Sequence, residues 1–366
     1  MRILFVSHFA LPHLGGIEFI IDTLARRMTA RGHEVAHLAA SPPATEETPY
    51  RVHRMRAWNP LEQPFAIPYP FFAPLQLWRE VKKAVDDADV VHAQGMLFAS
   101  TVLALARASR KARVLTEHVG IVPYSNPLVL GLERAATATL GRYSARHAQA
   151  IVVQNAVVGE QMRALAPGVR VEHIDNGVDT VLFRPPEPGE RERLRSELGW
   201  DARPKVLFVA RLVEKKGPAL AAEAARAGGF DLVFVGPGEP PRNAREYGVQ
   251  SLGEVPKQRV AELYRAADGF LLPSFGEGFP LAAQEAMASG VPAVVGDDPG
   301  YAQTLSGAGL AARQAPLEPQ ALGRAVNELL AAGAEARVAA RAFALRRFDW
   351  DVATDHYLSL YEQVRR

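Results

Sequence analysis

Residues 269–296 read GFLLPSFGEGFPLAAQEAMASGVPAVVG, and the order within them is strand, loop, helix, strand. GFLLPS is a short apolar run of strand type, SFGEGF is the loop leaving it, the alanine-rich stretch after Pro280 has helical character, and VPAVVG is a second apolar run. Pro280 suits the start of a helix, where its missing N–H leaves no bond unmade. Apolar strands separated by a helix indicate a parallel sheet covered on both faces.

The same alternation extends outward in both directions. Upstream lie QSLG (250–253), DLVFVG (231–236) and KVLFVA (205–210). Before them, FRPPEPGERERLRSELGWDARP (183–204) is rich in proline and charge and reads as the crossing between domains. The first part of the chain repeats the theme with RILFVS (2–7), a helical stretch Ile17–Arg31 closed by Gly32, then EVAHLAA (34–40), DVVHA (89–93), ARVLTEH (112–118) and AIVVQN (150–155). We therefore expect two βαβ domains in series, residues 1–182 and 183–347, with a cleft between them and ligand sites at the carboxyl ends of the strands. Residues 348–366 form an amphipathic helix whose Trp350, Tyr357, Leu358, Leu360 and Tyr361 need a surface to pack on.

Composition narrows the function classes. With 48% hydrophobic and 22% charged residues the chain is globular rather than disordered. It holds no cysteine, which excludes disulfides and thiolate metal sites and favours a reducing, cytoplasmic location. A net charge of +2 gives no basic footprint for nucleic acid, so no nucleic-acid partner is expected. MRILFVSHFA reads as a first strand rather than a signal peptide, and no apolar run is long enough for a membrane span. Nine of the ten histidines fall within residues 1–178, a hint that this part tolerates anions.

A binding site can be drawn around the opening stretch. The free N–H groups of Leu281 and Ala282 at the helix start favour an anion such as a phosphate. Glu277 precedes that point and Glu285 lies one turn inside the helix, so their carboxylates can accept hydroxyls on either side of a pyrophosphate. ARLVEKKG (210–217) brings Arg211 and Lys216 to a strand's carboxyl end, where they can neutralise a diphosphate leaving group without a metal. Gly236, in the GPG that follows another strand, is open to two readings, a close backbone approach to a ligand or an ordinary turn. Asp87-Ala88-Asp89 has the form of a metal-binding DxD but abuts a strand, and we expect it to cap a turn. PFAIPYPFFAPLQLW (64–78) is open between a loop packed on the first domain and an acceptor-side or membrane-surface contact.

Taken together, these residues carry a resemblance. SFGEGFPLAAQEAMASGVPAVV is similar to the signature of retaining glycosyltransferases of family four. LPHLGGIEFIIDTLARRMTARGHEV, DVVHAQG, LTEH, IDNGVDTVLFRP, ARLVEKKG, SLGEVPKQRVAELYRAADGFLLPS and the terminal FDW with its helix extend the likeness, in order, over nearly the whole chain. The resemblance implies the GT-B fold, two facing Rossmann-like domains, the N-terminal one on the acceptor side and the C-terminal one on the nucleotide-sugar side, with the last helix crossing back to the first. It implies that Glu285 holds the nucleotide ribose, Glu277 contacts donor sugar hydroxyls, and Arg211 and Lys216 meet the diphosphate. Gly16, in the Gly15-Gly16 turn, would approach that phosphate through its backbone, and His118 would sit near the reacting sugar carbon. Val255, within 253–256, would approach the base, while Gly278, Phe279, Pro280, Leu281 and Ala282 line the donor site.

The implied reaction is transfer of a sugar from a UDP- or GDP-linked donor to a hydroxyl of a glycan, lipid or small molecule. The implied configuration is retained, with no metal, no resident cofactor and no enzymic nucleophile, and with possible peripheral contact at the inner membrane face. A non-catalytic sugar-nucleotide-binding module and a sugar-nucleotide epimerase on the same fold stay open as alternatives.

Overall fold

The structure, a computed structural model, describes residues 1–13, 16–41, 47–60, 69–120, 127–242, 244–275 and 278–366. It divides into two compact units, Met1–Ile174 with Ala353–Arg366, and Asp175–Val352.

The first unit is built on a seven-stranded parallel sheet. Its strands are β1 (Arg2–Phe9), β2 (Glu34–Ala40), β3 (Arg51–Met55), β4 (Val90–Gln94), β5 (Ala112–Glu117), β6 (Ala150–Val153) and β7 (Arg170–His173). Their order across the sheet is β3-β2-β1-β4-β5-β6-β7. The chain thus winds from β1 toward one edge and then returns to lay β4 on the other side of β1. The gap beyond the carboxyl ends of β1 and β4 is a topological switch point, where two successive loops diverge and leave a crevice. The central strands are buried, β1 from Ile3 to Phe9 and β4 over its whole length, and they carry a few polar side chains, Ser7, His8, His92 and Gln94, within that burial. β3, β7 and β13 (below) are the strands the sequence reading did not anticipate, and each lies at a sheet edge.

The second unit repeats the plan with six parallel strands. These are β8 (Lys205–Val209), β9 (Asp231–Val235), β10 (Gln250–Ser251), β11 (Gly269–Leu272), β12 (Ala293–Gly296) and β13 (Ala312–Ala315), in the order β10-β9-β8-β11-β12-β13. The switch point here lies between β8 and β11. The sequence expectation of two doubly wound α/β domains holds.

The expected boundaries at 182/183 and 347/348 shift. Val178 and Phe183 belong to the core of the second unit, and the Val178 N–H donates to Phe348 O at 2.6 Å. Asp175 is held by Thr304 (2.7 Å) and Arg347 (2.6 Å), so the second unit begins at that carboxylate. The stretch 183–204 is accordingly not a crossing segment, since it contains the helix Glu190–Glu197, whose Leu194 enters the same core. The last helix, Trp350–Arg365, is shared. Trp350 stays with the second unit, so close to Gly177 that a Cβ there would lie 2.2 Å from the indole, while Tyr357, Leu360 and Tyr361 are buried in the first. Among the described residues no helix is long and apolar enough to cross a membrane.

Candidate functional site

In the second unit, the loops leaving β8 and β11 meet at the switch point. The Phe275 N–H donates to Lys215 O (3.3 Å), tying the one loop to the other. Gly217 has φ +72°, and a Cβ there would come within 2.7 Å of Pro273 O, so only glycine lets the two loops close up. Lys216 thus lies in the part of the β8 loop that packs on Pro273 and Phe275, ahead of helix Leu281–Ala288, while Arg211 opens the same loop at the end of β8. Arg211 is exposed and meets no carboxylate among the described residues; Lys216 is half-buried. Pro280 is the residue capping the helix rather than its first helical position, with φ −64°. Its carbonyl accepts from Ala283 (3.1 Å) and Gln284 (3.3 Å), leaving the amides of Leu281 and Ala282 ahead of the first intrahelical bonds.

Glu285 is half-buried one turn into that helix. Burial pushes its carboxyl up to about 7, and the nearby Lys257 ammonium opposes the shift. Its neighbour Tyr264 donates its hydroxyl to Ala282 O (2.9 Å), and burial together with the Glu285 charge raises the phenol. Gly236 is a residue the fold itself demands: its φ is +137° and a Cβ would strike Ala210 O at 2.1 Å. Its N–H donates to Gly253 O (2.7 Å), which brings the turn containing Val255 alongside. Phe279 does not present its ring as a lining group. It is buried between Tyr301 and Phe348, so only its backbone is available. Gly278 is different, for a Cβ would meet nothing within 4 Å among the described residues. Glu277 lies outside the described residues, as does Gly15.

The first unit gathers polar side chains at the carboxyl ends of four neighbouring strands: His8 on β1, Gln94 on β4, His118 after β5 and Gln154 after β6. His118 is half-buried, its Nε2 2.9 Å from Gln94 Oε1, and desolvation lowers its pKa to about 4 while Gln154 opposes the shift. His8 stacks on Phe98 (centroids 4.4 Å, 6°) across the switch point, and burial lowers it to about 4 as well. Glu18, buried in the first turn of helix Gly16–Ala30, accepts from His13 Nδ1 at 2.8 Å. Gly16 opens that helix, and a Cβ there would meet nothing within 4 Å among the described residues. The buried Glu117 carboxylate accepts from Met96 N–H (2.9 Å) and fixes the turn after β4.

Sequence reasoning missed His8, Glu18, Gln94 and Gln154. The available signal was positional: His8, Gln94 and Gln154 are polar residues at the carboxyl ends of mostly apolar strands. Asp89 pairs with the Arg2 guanidinium (2.8 Å) and main-chain N–H (2.9 Å), and those bonds pull its carboxyl down to about 2; its role is structural, but it ties down the start of β1 rather than capping the helix-to-strand turn. Of the aromatic stretch 64–78, residues 64–68 lie outside the described residues. Phe71 bridges antiparallel to Trp58, and the helix Pro74–Asp87 takes up the remainder. Trp58, Phe71, Leu75 and Trp78 are all exposed.

Comparison with known proteins adds to this geometry. Residues 14–182 match the family described as Glycosyltransferase Family 4, and residues 190–345 match Glycosyl transferases group 1. The chain is 28% identical to a GDP-mannose-dependent alpha-mannosyltransferase of Mycolicibacterium smegmatis, over 100% of this chain and 98% of that protein. It is 31% identical to an alpha-maltose-1-phosphate synthase of the same organism over 53% of this chain, spanning 57% of that relative's length. The solved structure of Anabaena Alr3699/HepE in complex with UDP superposes with a TM-score of 0.76 at 21% identity, over 99% of this chain and 100% of that one. At that identity the likeness bears on the fold.

Proposed function

The chain belongs to glycosyltransferase family 4, with the GT-B fold, and from that premise we propose that it moves a sugar from a UDP- or GDP-linked donor to a hydroxyl of a glycan, lipid or small molecule with retention of configuration. The observation that carries this reading is the junction in the second unit, where Phe275 N–H reaches Lys215 O. Two cations, Arg211 and Lys216, lie on the loop that follows β8, and the helix that follows the β11 loop starts with amides that have no intrahelical partner. Positive charge and oriented N–H groups at one point suit a diphosphate, and they stabilise it most as negative charge develops on departure. Glu285 accepts the ribose hydroxyls in its ionised form, and Glu277 contacts the donor sugar.

His118, neutral at physiological pH, lies near the reacting carbon. The departing phosphate helps to remove the acceptor proton, so no enzymic nucleophile, metal or resident cofactor is required. We place the protein in the cytoplasm. The exposed Trp58, Phe71, Leu75 and Trp78 support peripheral contact with the inner membrane face when the acceptor is a lipid.

The Mycolicibacterium smegmatis relative is named for GDP-mannose, which supports a GDP-linked donor, and the UDP-linked class is the other arm of the test. The test is calorimetric titration with UDP-, GDP- and ADP-sugars in excess EDTA. Binding of one base class without metal is expected, followed by transfer or slow donor hydrolysis. Binding that requires a divalent cation, or none across the panel, would remove the donor site described here.

A further inference from the structure

His118 is the outer end of a chain of hydrogen bonds that begins on the C-terminal helix. Tyr361 Oη lies 2.6 Å from His92 Nδ1. His92 Nε2 lies 2.7 Å from Thr116 Oγ1 and 3.1 Å from the amide nitrogen of Gln94. The oxygen of that same amide lies 2.9 Å from His118 Nε2. Tyr361, His92 and Thr116 are fully buried and Gln94 nearly so, which keeps water from competing for these bonds. Desolvation holds His92 near 3 and His118 near 4, so at neutral pH each ring carries a single proton.

A primary amide has an acceptor at one end and a donor at the other. Two neutral imidazoles joined through Nε2 to its two ends are therefore protonated oppositely at that atom. We propose that Tyr361, acting through His92 and Gln94, holds His118 in one tautomer, making the C-terminal helix a positioning element for that ring. As the amide lies, His118 carries its proton on Nε2 and keeps Nδ1 as a lone pair, an acceptor for a substrate hydroxyl rather than a donor to it. His92 carries its proton on Nδ1, directed at the Tyr361 oxygen. Tyr361, His92 and Gln94 are positioning residues; the inference rests on the reading that His118 sits beside the reacting sugar.

The test is nitrogen-15 NMR of histidine-labelled full-length protein, with His92 and His118 assigned from single substitutions. The wild type is expected to show each ring in one tautomer, with Nε2 protonated in one and bare in the other. The same Nε2 state in both rings, or a tautomer-averaged His118, would overturn the proposal. Tyr361→Phe keeps the ring packed against His92 and Tyr357 but removes the oxygen. It is expected to move His118 toward the averaged position and to lower kcat about fivefold with donor affinity unchanged, the effect of one lost hydrogen bond. An unmoved His118 signal in that variant also refutes the relay. Gln94→Met, which removes both ends of the amide, should have the same spectral effect. Normal turnover in His118→Ala would instead remove the catalytic reading of His118 and leave the tautomer measurement standing, so the two failures are distinguishable.

Discussion

Replacing Glu285 with glutamine separates what the fold wants from what the ligand wants. Burial raises this carboxyl from 4.5 to about 7. A carboxyl that keeps its proton longer in the folded chain than in the unfolded one destabilises the fold when it ionises. The gap is about 2.5 pH units, or about 3 kcal/mol at roughly 1.36 kcal/mol per unit. Because the side chain is only half-buried, water screens part of this, and about 2 kcal/mol is the working figure. Below about pH 4.5 the group is protonated in both states and has no cost; the cost builds as pH rises toward 7 and is complete above it. Glutamine keeps the shape and never ionises. Urea unfolding of wild type and Glu285→Gln should therefore show near-equal stability at pH 4.5 and a variant more stable by about 2 kcal/mol at pH 8. At pH 8 the same variant should bind the nucleoside diphosphate about tenfold more weakly, having lost a charged acceptor for the ribose. A stability difference that is the same at both pH values would refute the reasoning, because it would mean that the Glu285 carboxyl does not titrate differently in the folded chain.

Two glycines should part company under alanine substitution. Gly16→Ala is expected to leave stability within about 0.5 kcal/mol, since a Cβ there meets nothing among the described residues, while kcat/KM falls at least about tenfold if a phosphate approaches that backbone. Gly236→Ala should cost about 3 kcal/mol in denaturant melts, from a φ of +137° and a Cβ 2.1 Å from Ala210 O. Lys216→Ala should depress transfer by about a hundredfold with the fold intact by circular dichroism, and near-normal turnover would sink its role at the diphosphate.

The central strands could be read from the sequence because burial on both faces leaves long apolar words such as RILFVS and KVLFVA. β3, β7 and β13 could not, and their sequences say why: RVHRM, RVEH and ARQA are edge strands with half-exposed positions, where apolar and charged residues mix without cost. Arg211, Gly236, Val255 and Gly278 each follow a strand of one sheet, and strand ends are visible in sequence. The burial of the Phe279 ring could not be read from its glycine-rich loop, because Tyr301 and Phe348, which enclose it, are both distant in sequence. Trp350 was assigned to the wrong unit because the helical pattern is continuous across Val352 and Ala353 and gives no sign that its neighbours change there. The surroundings of His118 were illegible for a related reason. His92 meets Tyr361 across 269 positions, a separation no local pattern encodes.

That separation bears on biosynthesis. The first unit is discontinuous, with the whole of Asp175–Val352 interposed between its sheet and the helix segment that completes it. A ribosome adding about 5–20 residues each second needs on the order of ten to forty seconds to cross such an interval. Throughout it the nascent first unit holds His92 uncovered, together with the apolar surface that Leu360 and Tyr361 will later occupy. Aggregation and chaperone capture should therefore concentrate on this half-finished intermediate, and a premature stop codon after the second unit would make the vulnerable state permanent.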